Sequence, residues 1–185
     1  AIATGDVNGD GLEDMYVGGA AGKAGTLWLQ NKQGKFVQDN QQVFEGFKAA
    51  EDVCAVFADV NGDKHPDLLI GSGGNHRPAN SLDMQNRLYL NDGKGKFSFG
   101  SGSLPENLGN TSVIAPHDID GDGDIDLFVG TRSYPQQYGM PVRHYLLQNN
   151  GQGRFADVTP KLAPQLLETG MVTAAVWAQV AGDTK

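Results

Sequence analysis

The sequence predicts an all-β fold built from repeated units, and two observations carry that prediction. The 26 glycines and the recurrent Asp-Gly and Asn-Gly pairs supply turn chemistry at short intervals, whereas no stretch holds a 3.6-residue apolar period over the length of a sizeable helix. One motif also recurs three times in the same phase: Gly5-Asp6-Val7-Asn8-Gly9-Asp10-Gly11, Ala58-Asp59-Val60-Asn61-Gly62-Asp63-Lys64 and His117-Asp118-Ile119-Asp120-Gly121-Asp122-Gly123. Each copy precedes a short apolar run that ends in Gly.

Each unit reads as four strands. The first lies upstream of the Asp-rich loop, at residues 2–5, 53–58 and 112–117. The second is the apolar run itself, at residues 15–18, 68–71 and 127–130, rich in aliphatic residues as expected of strands buried on both faces. The third covers residues 26–30, 87–90 and 144–148, and tight hairpins at residues 31–36, 91–97 and 149–155 lead to a Phe that opens the fourth. A four-stranded meander of roughly 60 residues is the size of a β-propeller blade. The predicted architecture is therefore three such blades, at residues 1–46, 47–107 and 108–168, with the first strand of a fourth at residues 171–180 within a partial unit, 169–185. Three blades cannot close a ring, so further blades of a longer parent chain, or self-association of this one, are expected.

The loops between first and second strands place oxygen side chains at positions 1, 3, 5 and 9, with a backbone carbonyl at position 7. That spacing suits Ca²⁺, a hard cation that takes 6 to 8 oxygens. Loop one offers Asp6, Asn8, Asp10, Asp14 and the Leu12 carbonyl. Loop two offers Asp59, Asn61, Asp63, Asp67 and the His65 carbonyl, and loop three Asp118, Asp120, Asp122, Asp126 and the Asp124 carbonyl. Turn formation alone explains the glycines and one Asp per loop. It does not explain why ten of the 22 acidic residues crowd into these positions against their mutual repulsion, which a cation would relieve. Position 12 is Val17, Ile70 or Val129, where an EF-hand needs a bidentate Glu, so these are not EF-hands. Lys64, at a position held by Gly in the other loops, brings a positive charge into loop two. The expected order of affinity is loop three, then one, then two, all in the weak extracellular range of about 10⁻⁴ to 10⁻³ M.

The pattern Asp-x-Asn/Asp-Gly-Asp-Gly-x-x-Asp, apolar residues and Gly, then Leu-Tyr-Leu-Asn-Asp-Gly-Lys-Gly-Lys-Phe at residues 88–97 resembles the FG-GAP or VCBS repeat. The resemblance spans nearly the whole chain. It is similar to the Ca²⁺-binding blades of integrin-α-like propellers and to long bacterial surface proteins with a terminal ASPIC/UnbV region, and it implies a seven- or eight-bladed propeller with up to three Ca²⁺ ions here. In the partial fourth unit, Gln179 and Ala181 stand where acids would be expected.

Strand alternation puts the Asp-rich loops and the tight hairpins at one end and the long connections at the other, where recognition usually resides. There, His76, Arg77, Arg132, Tyr134, Tyr138, Arg143 and His144 are candidate ligand-binding residues: Arg forks suit carboxylates, and aromatic faces suit sugars. Trp28 and Trp177 fall in predicted strands and read as core aromatics. No Gly-x-Ser-x-Gly elbow, His-Glu-x-x-His or P-loop occurs. His117 beside Asp118 reads as structural, because its repeat equivalents are Gly5 and Ala58.

The net charge of −8, with Lys and Arg scattered, argues against a nucleic-acid partner. The single cysteine, Cys54, excludes an internal disulfide and reads as a buried, inert thiol. There is no 18-residue apolar run and no leader peptide in the sequence as it stands. The combined expectation is a Ca²⁺-binding scaffold outside the cytosol, extracellular, at the cell surface or periplasmic, with a protein or carbohydrate ligand and no catalytic residues. The alternative is part of a polysaccharide lyase or hydrolase with its site on the long-loop face.

Overall fold

The computed structural model describes residues 1–78, 81–107 and 109–179. Its strands are β1 (Ile2–Gly5), β2 (Asp14–Val17), β3 (Thr26–Gln30) and β4 (Phe36–Asp39); β5 (Glu51–Ala58), β6 (Asp67–Gly73), β7 (Arg87–Asn91) and β8 (Phe97–Phe99); and β9 (Asn110–His117), β10 (Asp126–Ser133), β11 (Tyr145–Asn149) and β12 (Phe155–Asp157). They form three four-stranded antiparallel meanders, each pairing its strands in sequence order. The fold is all-β, and its sheets have the form of propeller blades.

The sheets stack face to face, and the period of two along each second strand decides which side chain enters which interface. Leu68 and Ile70 of β6 point toward the first sheet and join Tyr16, Leu27, Tyr89 and Phe97. Leu69, between them, points the other way and joins Leu88, Leu127, Val129 and Leu147 of the second core. Every residue of β6 is therefore buried. A short helix, α1 (Gln42–Glu45), lies in the connection from β4 to β5 and drives Phe44 into the first core, where its ring meets Tyr16 at 5.4 Å and Tyr89 at 5.1 Å. A second short helix, α2 (Thr159–Leu162), follows β12.

The glycine that ends each apolar run marks the closest approach of successive units. A Cβ on Gly71 would lie 2.3 Å from Cys54 Sγ and 2.6 Å from Thr111 Cγ2, and one on Gly18 would lie 2.6 Å from the Asp52 Cβ. At Gly130 the corresponding neighbour is Val172, whose Cγ1 would be 2.7 Å away. Asp52, Thr111 and Val172 each lie seven residues before position 1 of their own repeat, so the segment 171–179 sits where the first strand of a fourth unit would sit.

That segment corrects the prediction of a fourth first strand at residues 171–180. Residues 171–179 form no strand; residues 180–185, including Ala181, lie outside the described residues. The segment is held instead by Val172 N–H donating to the Thr131 carbonyl and Ser112 Oγ donating to the Val172 carbonyl. Trp177 is correspondingly not a core residue of a strand. It is 39% exposed, stacks on the His117 ring at 5.0 Å and donates its indole N–H to the Ala115 carbonyl. Trp28 does lie in β3, half-buried, with its N–H on Thr26 Oγ1.

Candidate metal centres

The three Asp-rich loops share one hydrogen-bonded design. The position 1 carboxylate accepts the backbone N–H groups of positions 4 and 6: Asp6 from Gly9 and Gly11, with Asp10 as a third donor; Asp59 from Gly62 and Lys64; Asp118 from Gly121 and Gly123. Position 5 accepts from position 7, at Asp10, Asp63 and Asp122. Position 3 accepts from position 5, at Asn8, Asn61 and Asp120. Each loop is thereby curled back on itself. The turn requires a left-handed residue at position 6, where Gly11 has φ 82° and Gly123 φ 93°. In loop two Lys64 is forced to φ 69°, an unfavourable conformation for a residue with a side chain.

Position 9 has a part that the sequence reading did not foresee. Asp14, Asp67 and Asp126 are completely buried. One carboxylate oxygen of each accepts the N–H of position 2 in its own loop, from Val7, Val60 and Ile119. The other accepts the N–H of the residue that ends the third strand, from Gln30, Asn91 and Asn149. These residues thus staple the loop to the sheet. A carboxylate oxygen that holds one N–H keeps a further lone pair for a cation. The same bonds correct the repeat alignment: Gln30, not Asn31, is the equivalent of Asn91 and Asn149.

Burial pushes the Asp67 carboxyl up to about 6, with the charges of Asp63 and Asp59 acting in the same direction. Asp14 and Asp126 are raised for the same reason, by desolvation and then by their acidic neighbours, in part offset by the backbone N–H groups. In loop three the oxygens of Asp118, Asp120 and Asp126 come within 4.8 Å of one another, an acidic cluster able to coordinate a metal ion. The donor set is all oxygen, which fits a hard divalent cation.

At the other end, the long connections surround a cavity of about 590 Å³ between the second and third sheets, lined by Glu51, Asn75, Asn110, Arg132, Tyr134 and Tyr138 among others. Of the candidate ligand-binding residues, the fold brings these last three together there. His76 stands beside them through its contact with Glu51 at 3.1 Å. The others are elsewhere. Arg77 pairs with Asp83, and Arg143 pairs with Asp157 and lies over the Tyr145 ring. His144 is completely buried, accepting the Thr131 N–H at Nδ1 and meeting the Gly170 carbonyl at Nε2, so both ring nitrogens are engaged within the protein and neither faces a ligand.

Stacked four-stranded sheets, each carrying one Asp-rich loop with the same hydrogen bonds, define a repeat protein, and the third loop gathers an acidic cluster able to coordinate a metal ion. Residues 6–70, 74–129 and 118–185 match the FG-GAP-like repeat, and the chain belongs to that family. A comparison with curated proteins finds no significant match. Among the described residues no helix is long and apolar enough to cross a membrane.

Proposed function

We propose that the chain is a Ca²⁺-rigidified segment of a seven- or eight-bladed β-propeller, serving outside the cytosol as a binding or adhesion scaffold for a protein or carbohydrate. The observation that carries this reading is the convergence of Asp118, Asp120 and the buried Asp126 in loop three. Like charges gathered around a desolvated carboxylate are costly until a cation joins them. Loops one and two repeat the hydrogen-bonded design of the loop, with Asn in place of Asp at position 3. Ca²⁺ would be held by Asp118, Asp120, Asp122, Asp126 and the Asp124 carbonyl in loop three, and by the equivalent atoms in the other two.

In this reading the cations stiffen one end of the stack, and the ligand is taken at the other, in the cavity beside Arg132, Tyr134 and Tyr138. One guanidinium, two aromatic rings and several amides suit a sugar bearing a carboxylate. Weak sites would fill at millimolar extracellular Ca²⁺ and remain empty in the cytosol. The test is thermal unfolding in EDTA, in millimolar CaCl₂ and in MgCl₂. A Ca²⁺-specific rise in Tm is expected by mass action, and identical curves in all three would overturn the reading.

A further inference from the structure

The position 9 carboxylates of the three loops are joined in series. Asp126 Oδ1 accepts the Asn149 backbone N–H at 2.7 Å, and the Asn149 side chain donates from Nδ2 to the Val60 carbonyl, in loop two, at 2.8 Å. The N–H of that same Val60 donates to Asp67 Oδ2 at 3.1 Å. The sequence of bonds then repeats one unit earlier. Asp67 Oδ1 accepts the Asn91 N–H at 2.8 Å, Asn91 Nδ2 donates to the Val7 carbonyl at 2.9 Å, and the Val7 N–H donates to Asp14 Oδ2 at 3.1 Å.

Both asparagines are buried, and each uses its whole amide. The second Nδ2 bond goes to the position 8 carbonyl of its own loop, Pro66 for Asn91 and Ile125 for Asn149, and Oδ1 accepts from Gly93 or Asn150. A side chain that must donate twice to carbonyls while accepting once can be Asn and cannot be Asp. Gln30, at the same place in the first unit, keeps the backbone bond to Asp14.

Resting on the reading of the loops as Ca²⁺ sites, we propose that Asn91 and Asn149 are positioning residues that couple adjacent sites, so that filling one loop raises the affinity of the loop before it. A cation held by Asp126 fixes the orientation of that carboxylate, and with it the Asn149 backbone and amide. The amide fixes the Val60 carbonyl and, across the Val60 Cα, the preceding peptide, whose N–H orients Asp67. Coupling of this kind is reciprocal, so loop two supports loop three by the same factor.

The test is a coupling cycle read site by site. Gly9, Gly62 and Gly121 each donate their N–H to the position 1 Asp of one loop, so their amide resonances in a ¹⁵N-glycine-labelled chain follow each loop separately during a CaCl₂ titration. Disabling loop three with Asp118→Ala and Asp120→Ala should raise the Ca²⁺ midpoint at Gly62 by at least about five-fold. In an Asn149→Ala background the same lesion should leave that midpoint within about two-fold. An equal shift in both backgrounds, or none in the wild type, overturns the coupling. If no glycine responds to Ca²⁺, the cation reading itself fails and the coupling falls with it, an outcome distinct from independent filling of three sites. Should Asn149→Ala not fold, the cycle is run with Asn91→Ala, an Asp59→Ala and Asp63→Ala lesion in loop two, and Gly9 as reporter. Gln30→Ala is the control and should leave all three midpoints in place.

Discussion

Asp52 of the second sheet and Arg87 meet at 2.6 Å, both almost fully buried, at the interface with the first sheet. The carboxylate also accepts the Tyr16 hydroxyl at 2.8 Å and the Gly19 N–H at 2.7 Å, so one aspartate ties two units together at the long-loop end. Burial, followed by the neighbouring Asp52, holds the Tyr16 hydroxyl well above its usual range, so it remains a donor at any physiological pH. Asp52→Ala should destabilise the chain by about 3–5 kcal/mol, because Arg87 is left buried without its counter-charge. Asp52→Ala with Arg87→Met should recover part of the loss. Urea unfolding of the two variants checks both statements, and an equal loss in each would show that packing, not charge, dominates there.

Lys64→Gly should stabilise the protein in EDTA by about 0.5–1 kcal/mol, since glycine adopts the left-handed conformation of position 6 without strain while giving back some chain entropy. In Ca²⁺ the gain should grow, because a positive charge leaves the second loop. Unfolding curves with and without the cation separate the two contributions.

Gly71→Ala should cost about 1–3 kcal/mol through overpacking, since the new methyl would meet Cys54 Sγ and Thr111. The same contact shelters the thiol, which burial pushes up to about 11. Cys54 is half-buried, so native protein should react with a disulfide reagent at pH 8 more slowly than free cysteine, chiefly because little thiolate is present, and Gly71→Ala should react faster. Reaction of the folded wild type at the rate of free cysteine would refute this.

Stability should fall as the pH is lowered from about 6.5, the unfolded pKa of histidine, in part through His144. Desolvation lowers its pKa in the fold, and a proton on Nδ1 would confront the Thr131 N–H that this nitrogen accepts. The unfolded chain then binds more protons than the folded one, so the contribution is full above 6.5 and is lost as the pH drops through the lowered value. His144→Gln should be less stable at pH 7 and show a shallower decline between pH 7 and 5.5, measured by denaturant unfolding.

The strands were legible because their signals are local. The continuous apolar run at residues 68–70, glycine at the end of each run and the Phe at the start of β4, β8 and β12 placed the elements within a few residues. The Asp loops were legible because the repeat aligned them. What escaped depends on partners distant in sequence. Asp52 and Arg87 look like solvated charges until the stacking of sheets buries them together. His144 looks available until residue 170 covers it. Asn91 and Asn149 looked like turn residues because hairpin chemistry alone already explains asparagine there. The residues after 170 carry the pattern of a first strand, but a ladder requires a second chain segment, which pattern alone does not supply.

The missing side chain at Gly18, Gly71 and Gly130 has a geometric consequence. The closest backbone approaches between successive sheets fall on their first and second strands, while the outer strands are spaced by their side chains, and the glycine sets how near the inner margin comes. Units whose backbones come closer at one margin than at the other are wedges, and the number of wedges that fills a circle depends on the angle of each. A single methyl group at these three positions would hold the near margins apart and narrow that angle, making glycine at the end of each apolar run a determinant of how many units a closed circle can hold.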